Sequence, residues 1–321
     1  MKHLIATLIL ASSWLLAASR PANAQFQADE STGGPQLTSP VTTKLKCGVR
    51  ITASGGPCKG IVASVPVPDD WPEQQVRIAD ESISPLVKRV YYRHLGGGVK
   101  QMLVEIPMLP AGQTADALIT FEVTKHSLLP PESTADLRVP KKLSKDLLIH
   151  TGPSPYIESR NGKIISLARE VAGEHEPAWE KVEAIYDWVR DNVKYEDGPL
   201  KGAIKALNDK TGDCEELSSL FIAMCRAQKI PARTVWVPGH CYPEFYLTDA
   251  EGNGFWFPCQ AAGARAFGGI PEERPVLQKG DNFRDPDRPK EKLRYVSEYL
   301  TGKGGGGRPK VKFVQEVVAT P

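Results

Sequence analysis

The sequence contains no Cys-x-x-Cys pair, and its six cysteines are scattered at positions 47, 58, 214, 225, 241 and 259. That spacing argues against a structural zinc site. An excess of charge of one sign is also missing: 40 Lys and Arg stand against 38 Asp and Glu, a formal net charge of +2. Without a basic stripe, a nucleic-acid partner is not expected. Past residue 18 no apolar run is long enough to cross a bilayer, so no stable membrane span is expected. The glycine run at residues 302–309 leads into no helix start, which excludes a phosphate-cradling loop. His94 and His126 are isolated and read as structural or solvated.

The first segment is better defined. Lys2, the short apolar run at residues 4–18 and Ala22-Asn23-Ala24 before Gln25 have the layout of a secretory signal. Residues 1–24 are therefore expected to be removed, leaving an exported protein of the periplasm or the extracellular space. That compartment permits disulfides. Cys47 and Cys58 flank Ser54-Gly55-Gly56-Pro57, a strong turn signal, and are expected to form a disulfide across a hairpin.

Residues 25–43, rich in Gly, Pro, Ser, Thr and Gln, read as a flexible leader. Residues 44–126 hold six short β-like runs separated by turn signals such as Gly96-Gly97-Gly98, the pattern of a β-sandwich. A proline-rich connector is expected over 127–160. Helical periodicity then begins, with Ile164, Ile165, Ala168 and Val171 on one helix and Ala178, Val182, Ile185, Tyr186 and Val189 on a second. A short third helix covers 201–207, and a fourth runs from Cys214 to about Gln228, where Ile230-Pro231 stops it. Strands follow near 234–238, 244–248 and 255–258. Residues 161–300 form this second domain, and 301–321 are a Gly-rich linker ending in a strand or tail.

Thr211-Gly212-Asp213-Cys214-Glu215-Glu216-Leu217 carries the chemistry. It sets a thiol at the mouth of an apolar helix, where the first N–H groups lack intrahelical partners and the macrodipole is positive. A thiol there is expected to ionise easily, and the same N–H groups suit a tetrahedral oxyanion. Taken alone, such a cysteine reads more readily as a buried helix-start residue. Cys225, about three turns further on, reads as a core cysteine.

Three ordered stretches then resemble the transglutaminase-like superfamily. They are residues 184–195, residues 212–233 with Gly212-Asp213-Cys214 and Ile230-Pro231-Ala232-Arg233, and His240-Cys241-Tyr242-Pro243-Glu244-Phe245-Tyr246. Together they span about residues 160–265. The resemblance implies an α+β protein: an N-terminal β-sandwich followed by a papain-like, transglutaminase-core domain with helices packed on an antiparallel sheet. It implies Cys214 as nucleophile, His240 as base, and no metal or cofactor. The third position departs from the pattern, because Trp256-Phe257-Pro258-Cys259 is followed by Gln260 where an Asp is usual. Gln260 can orient the imidazole but supplies no negative charge. Asp249 and Glu251 are poor replacements, since both fall in a turn.

If His240 faces Gln260 across antiparallel strands, paired positions sum to 500, and Cys241 and Cys259 would face each other on the reverse side. A Cys241–Cys259 disulfide is one reading of that register; two buried free thiols is the other. Zinc held by Cys214, His240, Cys241 and Cys259 is a remote third.

The expected function is an exported cysteine enzyme, a peptidase, amidase or protein cross-linker, acting by acyl transfer through a thioester on Cys214. Its partners would be a protein or peptide substrate or a cell-envelope component. The alternative is a catalytically weak or inactive module of the same fold, binding protein at the cell envelope.

Overall fold

The structure, a computed structural model, describes residues 33–173 and 175–318. The signal-peptide reading of residues 1–24 and the first part of the expected leader lie outside the described residues. In chain order the N-terminal half contributes β1 (Gln36–Thr52), β2 (Cys58–Val67), β3 (Gln74–Ile83), β4 (Arg89–Leu95), β5 (Val99–Leu109) and β6 (Thr114–Leu129). Next come α1 (Lys145–Leu148), α2 (Gly162–Ala172), α3 (Ala178–Asn192), β7 (Lys194–Tyr195), α4 (Ala203–Asp209), β8 (Thr211–Gly212) and α5 (Cys214–Ala227). The chain continues with β9 (Ala232–Val237), β10 (His240–Thr248), β11 (Gly254–Pro258), β12 (Gln278–Lys279), β13 (Tyr299–Gly304) and β14 (Lys310–Val318). The architecture is α+β, with mostly antiparallel sheets. No described helix is long and apolar enough to cross a membrane.

One sheet has the order β14-β1-β6-β3. Period-2 alternation explains its inner face: Leu45, Cys47, Val49 and Ile51 of β1 and Ala115, Ala117, Ile119, Phe121 and Val123 of β6 are all buried. They pack on Ile61, Ala63 and Val65 of β2 and Met102, Val104 and Ile106 of β5, from the other sheet. β1 starts at Gln36, inside the stretch expected to be leader, because Gln36, Leu37 and residues 40–43 already pair with β6. Val311 and its neighbours do form a strand, β14, which returns to pair with β1.

The expected Cys47–Cys58 disulfide is corrected here: both are free thiols. The turn between them joins two different sheets and is not a hairpin. Cys58 begins β2 at the turn, whereas Cys47 lies five residues, about 17 Å of strand, below it. Isolated histidines are structural: His94 Nε2 lies 2.9 Å from Asp69, and His126 Nδ1 lies 2.6 Å from the Thr38 carbonyl oxygen.

The second sheet runs β11-β10-β9-β12-β5-β2-β13, with β4 also paired to β5. It is continuous from the sandwich strands to the strands beside the helices. The link is β12, where Gln278 pairs with Val99 on one side and Trp236 on the other. Buried ions reinforce this seam. Lys279 Nζ lies 2.7 Å from Glu73 and 3.3 Å from Glu244, with all three side chains almost wholly buried. Arg226 Nη2 meets Asp281 at 2.8 Å. Residues 130–160 are also packed rather than loose, since Leu137 and Ile157 join the helical core and Arg138 bridges to Thr248.

α5 is the centre of the helical half. Leu217, Leu220, Phe221, Ile222, Ala223, Met224 and Cys225 are buried on every side, as expected of a helix surrounded by protein. α2 and α3 cover it from one side, and Phe245, Leu247 and Phe257 of the sheet from the other.

Candidate active site

The start of α5 is held by side chains of its own first turn. Asp213 is the N-cap; its carboxylate accepts from the Glu215 N–H at 2.7 Å, and Glu216 accepts from the Asp213 N–H at 3.2 Å. This is a capping box, written as Asp-x-x-Glu. Glu216 also accepts from the Lys201 N–H at 2.9 Å, tying the preceding loop to the helix. Gly212 is required, because a Cβ there would fall 2.4 Å from the Cβ of Glu216. Cys214 therefore takes the first helical position, half-buried, beside N–H groups that the helix leaves unpaired.

His240 is the first residue of β10. The two-residue turn Pro238-Gly239 reverses the chain out of β9, and Gly239 takes φ 70, a value suited to glycine. Gln260 follows β11. Its main-chain oxygen accepts from Tyr186 Oη and Arg190 Nη1, each at 2.9 Å, so α3 fixes its position. The side-chain Oε1 of Gln260 then lies 3.3 Å from His240 Nε2. With that nitrogen donating to the amide, Nδ1 is left for the thiol.

The electrostatics fit a nucleophile and base. The Cys214 thiol is lowered to about 4. The largest cause is a hydrogen bond from the Cys241 thiol; burial opposes it, and bonds from His240 and the Cys241 backbone add to it. His240 is raised by its hydrogen bond to Cys214, against burial, with further help from thiolate charge and Gln260. The pair is thus ionised between about pH 4 and the raised value of the imidazole.

The register proposed from sequence needs correction. Glu244 faces Pro258, a sum of 502 rather than 500, and the Cys259 N–H donates to the Pro243 carbonyl. Cys241 and Cys259 are free thiols, not a disulfide. They are two positions out of opposition, and each has other neighbours. Cys259 is buried in the helical core that also holds Cys225, while Cys241 lies against Cys214. Among the described residues no group of three or more His, Cys, Asp or Glu could hold a metal. His240 and Gln260 still meet, because long side chains span the shift.

Sequence reasoning missed five contributors: Cys241, Tyr186, Arg190, Arg274 and Arg294. Cys241 lies on the expected face of its strand but meets Cys214 rather than Cys259. Arg190 and Tyr186 hold Gln260, and their signal lay unused in the 184–195 motif. Arg274 and Arg294 come from residues 270–298, which show no periodicity. Arg274 donates to the Pro238 carbonyl at 3.2 Å and pairs with Glu272. Arg294 pairs with Glu215 and stands 5.0 Å from the Trp236 ring centroid.

Residues 165–261 match the model of the transglutaminase-like superfamily. This segment is a transglutaminase-like core. It spans α2 to the residue after Gln260, so all three candidate residues lie inside it. Among solved structures, a protein of Cytophaga hutchinsonii named as a candidate cysteine protease is 21% identical, with a TM-score of 0.57 over 89% of this chain and 95% of that one. At that identity the likeness carries the fold, and it extends beyond the transglutaminase-like core into the sandwich. A protein of Parabacteroides distasonis named as a candidate protease is 15% identical, covering 69% of this chain and 47% of that one, with a TM-score of 0.29 too low to carry an argument. No curated protein matches the chain.

Proposed function

We propose that this chain is an exported cysteine enzyme that cleaves or transfers acyl groups of amide or peptide bonds. The observation that carries the reading is the alignment of Cys214 at a helix start, His240 beside it, and Gln260 3.3 Å from the far imidazole nitrogen. The Cys214 thiolate attacks the substrate carbonyl, and the Cys214 N–H at the α5 start stabilises the oxyanion, the next N–H, of Glu215, being held by Asp213. Imidazolium at His240 protonates the leaving amine as the tetrahedral intermediate collapses to a thioester. His240, now neutral, takes a proton from water, and the resulting hydroxide equivalent releases the acid and regenerates the thiolate. A primary amine in place of water would give cross-linking. Hydrolysis is favoured, since nothing in the sequence points to a dedicated amine site. The layout of residues 1–24 supports export.

The neutral Gln260 favours a second reading, a binding module at the cell envelope with little turnover. Incubation with a complex peptide mixture separates the two. New termini or isopeptide links that vanish in Cys214→Ala support the enzyme; a thiol as unreactive as an ordinary one supports the module.

A further inference from the structure

We infer that Cys241 is a positioning residue for the candidate nucleophile, presenting its S–H and its backbone N–H to the Cys214 sulfur and holding it as thiolate. This deepens the function proposed above and rests on it.

Strand alternation supplies the geometry. Phe245 and Leu247 of β10 are buried in the core that surrounds α5, and the Phe245 ring centroid lies 6.4 Å from that of Phe221. Residues two apart share a face of a strand, so Cys241 faces α5 as well. From Phe245 back to Cys241 is about 13 Å of strand, and from Phe221 back to Cys214 about 10 Å of helix. The start of β10 therefore overlies the first turn of α5, where Cys214 stands. Cys241 is 2% exposed. Its hydrogen bond to Cys214, followed by burial, pushes its own thiol well above the ordinary value, so it keeps its proton and can donate.

Such a donor answers a need that Gln260 creates. A carboxylate at position 260 would stabilise the imidazolium with a full negative charge, whereas the Gln260 amide gives it only a hydrogen bond. The helix start is also rich in acid. Asp213 and Glu215 face the sulfur from its own helix, and Tyr195 faces it from β7. His240 and Arg274, from β10 and the loop before β12, bring cationic character to it. Two acids beside a thiolate would raise its pKa; S–H and N–H donors aimed at the sulfur offset them. The charge pair is thus secured more at its thiolate end than at its imidazolium end.

The test is the pH dependence of Cys214 alkylation by iodoacetamide, followed on its tryptic peptide for wild type, Cys241→Ala and Cys241→Ser, with thermal melts to check folding. No substrate is needed. The wild-type midpoint is expected near about pH 4. Loss of the S–H donor in Cys241→Ala should raise it by about one to two pH units, and the hydroxyl of Cys241→Ser should recover most of that shift. Should Cys241→Ala fail to fold, Cys241→Val fills the volume without a donor and takes its place. An unchanged midpoint in the donorless variant, or no recovery with Ser, overturns the inference. A wild-type midpoint at the ordinary thiol value would instead defeat the proposed function itself.

Discussion

Cys47 and Cys214 show what two regions of one molecule do with the same side chain. Between the sheets of the sandwich, Cys47 is wholly buried among Leu45, Val49 and other aliphatic groups. Burial there pushes its thiol far up, and the charge of Glu298 pushes it further. In the helical region Cys214 is also largely covered, yet its thiol falls to about 4. Depth alone is therefore not what separates an inert cysteine from a reactive one. Donors decide it: a helix start, an imidazole and a neighbouring S–H meet at Cys214, and among the described residues nothing comparable reaches Cys47.

The largest test of this contrast is Cys214→Ala. It should reduce peptide turnover by at least about 10⁴-fold, as read in a continuous peptidase assay, while alkylation of Cys47 in the folded protein stays negligible. Activity that survived would transfer the chemistry to another group and dissolve the comparison. Next comes the seam that holds the two regions together. Lys279→Met leaves the buried carboxylates of Glu73 and Glu244 short of a partner, which should cost about 3–5 kcal/mol. Urea unfolding would measure that loss, and a change below about 1 kcal/mol would mean the ion cluster does not brace the seam.

Smaller effects sharpen the site. Burial opposes but does not cancel the pull of the thiolate on His240, so its folded pKa is raised. Activity should then fall on the acid side as Cys214 gains a proton near about 4 and on the basic side as His240 loses one. Gln260→Glu places a negative charge beside Nε2 and should move the basic limb up by about one pH unit. A pH–rate profile in which that limb stays put would show that position 260 does not act through the imidazole. The smallest change expected is Asp213→Ala, which removes the N-cap of α5 at about 1 kcal/mol, visible as a modest drop in melting temperature.

Local chemistry was legible in the sequence. Asp213 and Glu216 announce a capping box three residues apart, so the placement of Cys214 at a helix start required no tertiary information. His240 and Gln260 were found through motifs that surround them. The strand pairing was not legible, because a sum of 500 and a sum of 502 leave the same residues on the same face. Period-2 alternation cannot distinguish them, and only the hydrogen bond from Cys259 to Pro243 does. β12 escaped notice for a similar reason: two residues, Gln278 and Lys279, carry no period at all, yet they join the sandwich to the helical half.

By itself the sequence determined which residues are reactive in kind and which elements carry them, since caps, periodicity and turn signals act over a few neighbouring residues. Only the tertiary structure decided what those residues touch. Cys241 stands against Cys214 rather than Cys259, and Cys47 stays unpaired, because contacts between distant segments depend on strand register and sheet assignment, and a shift of two positions exchanges one partner for another.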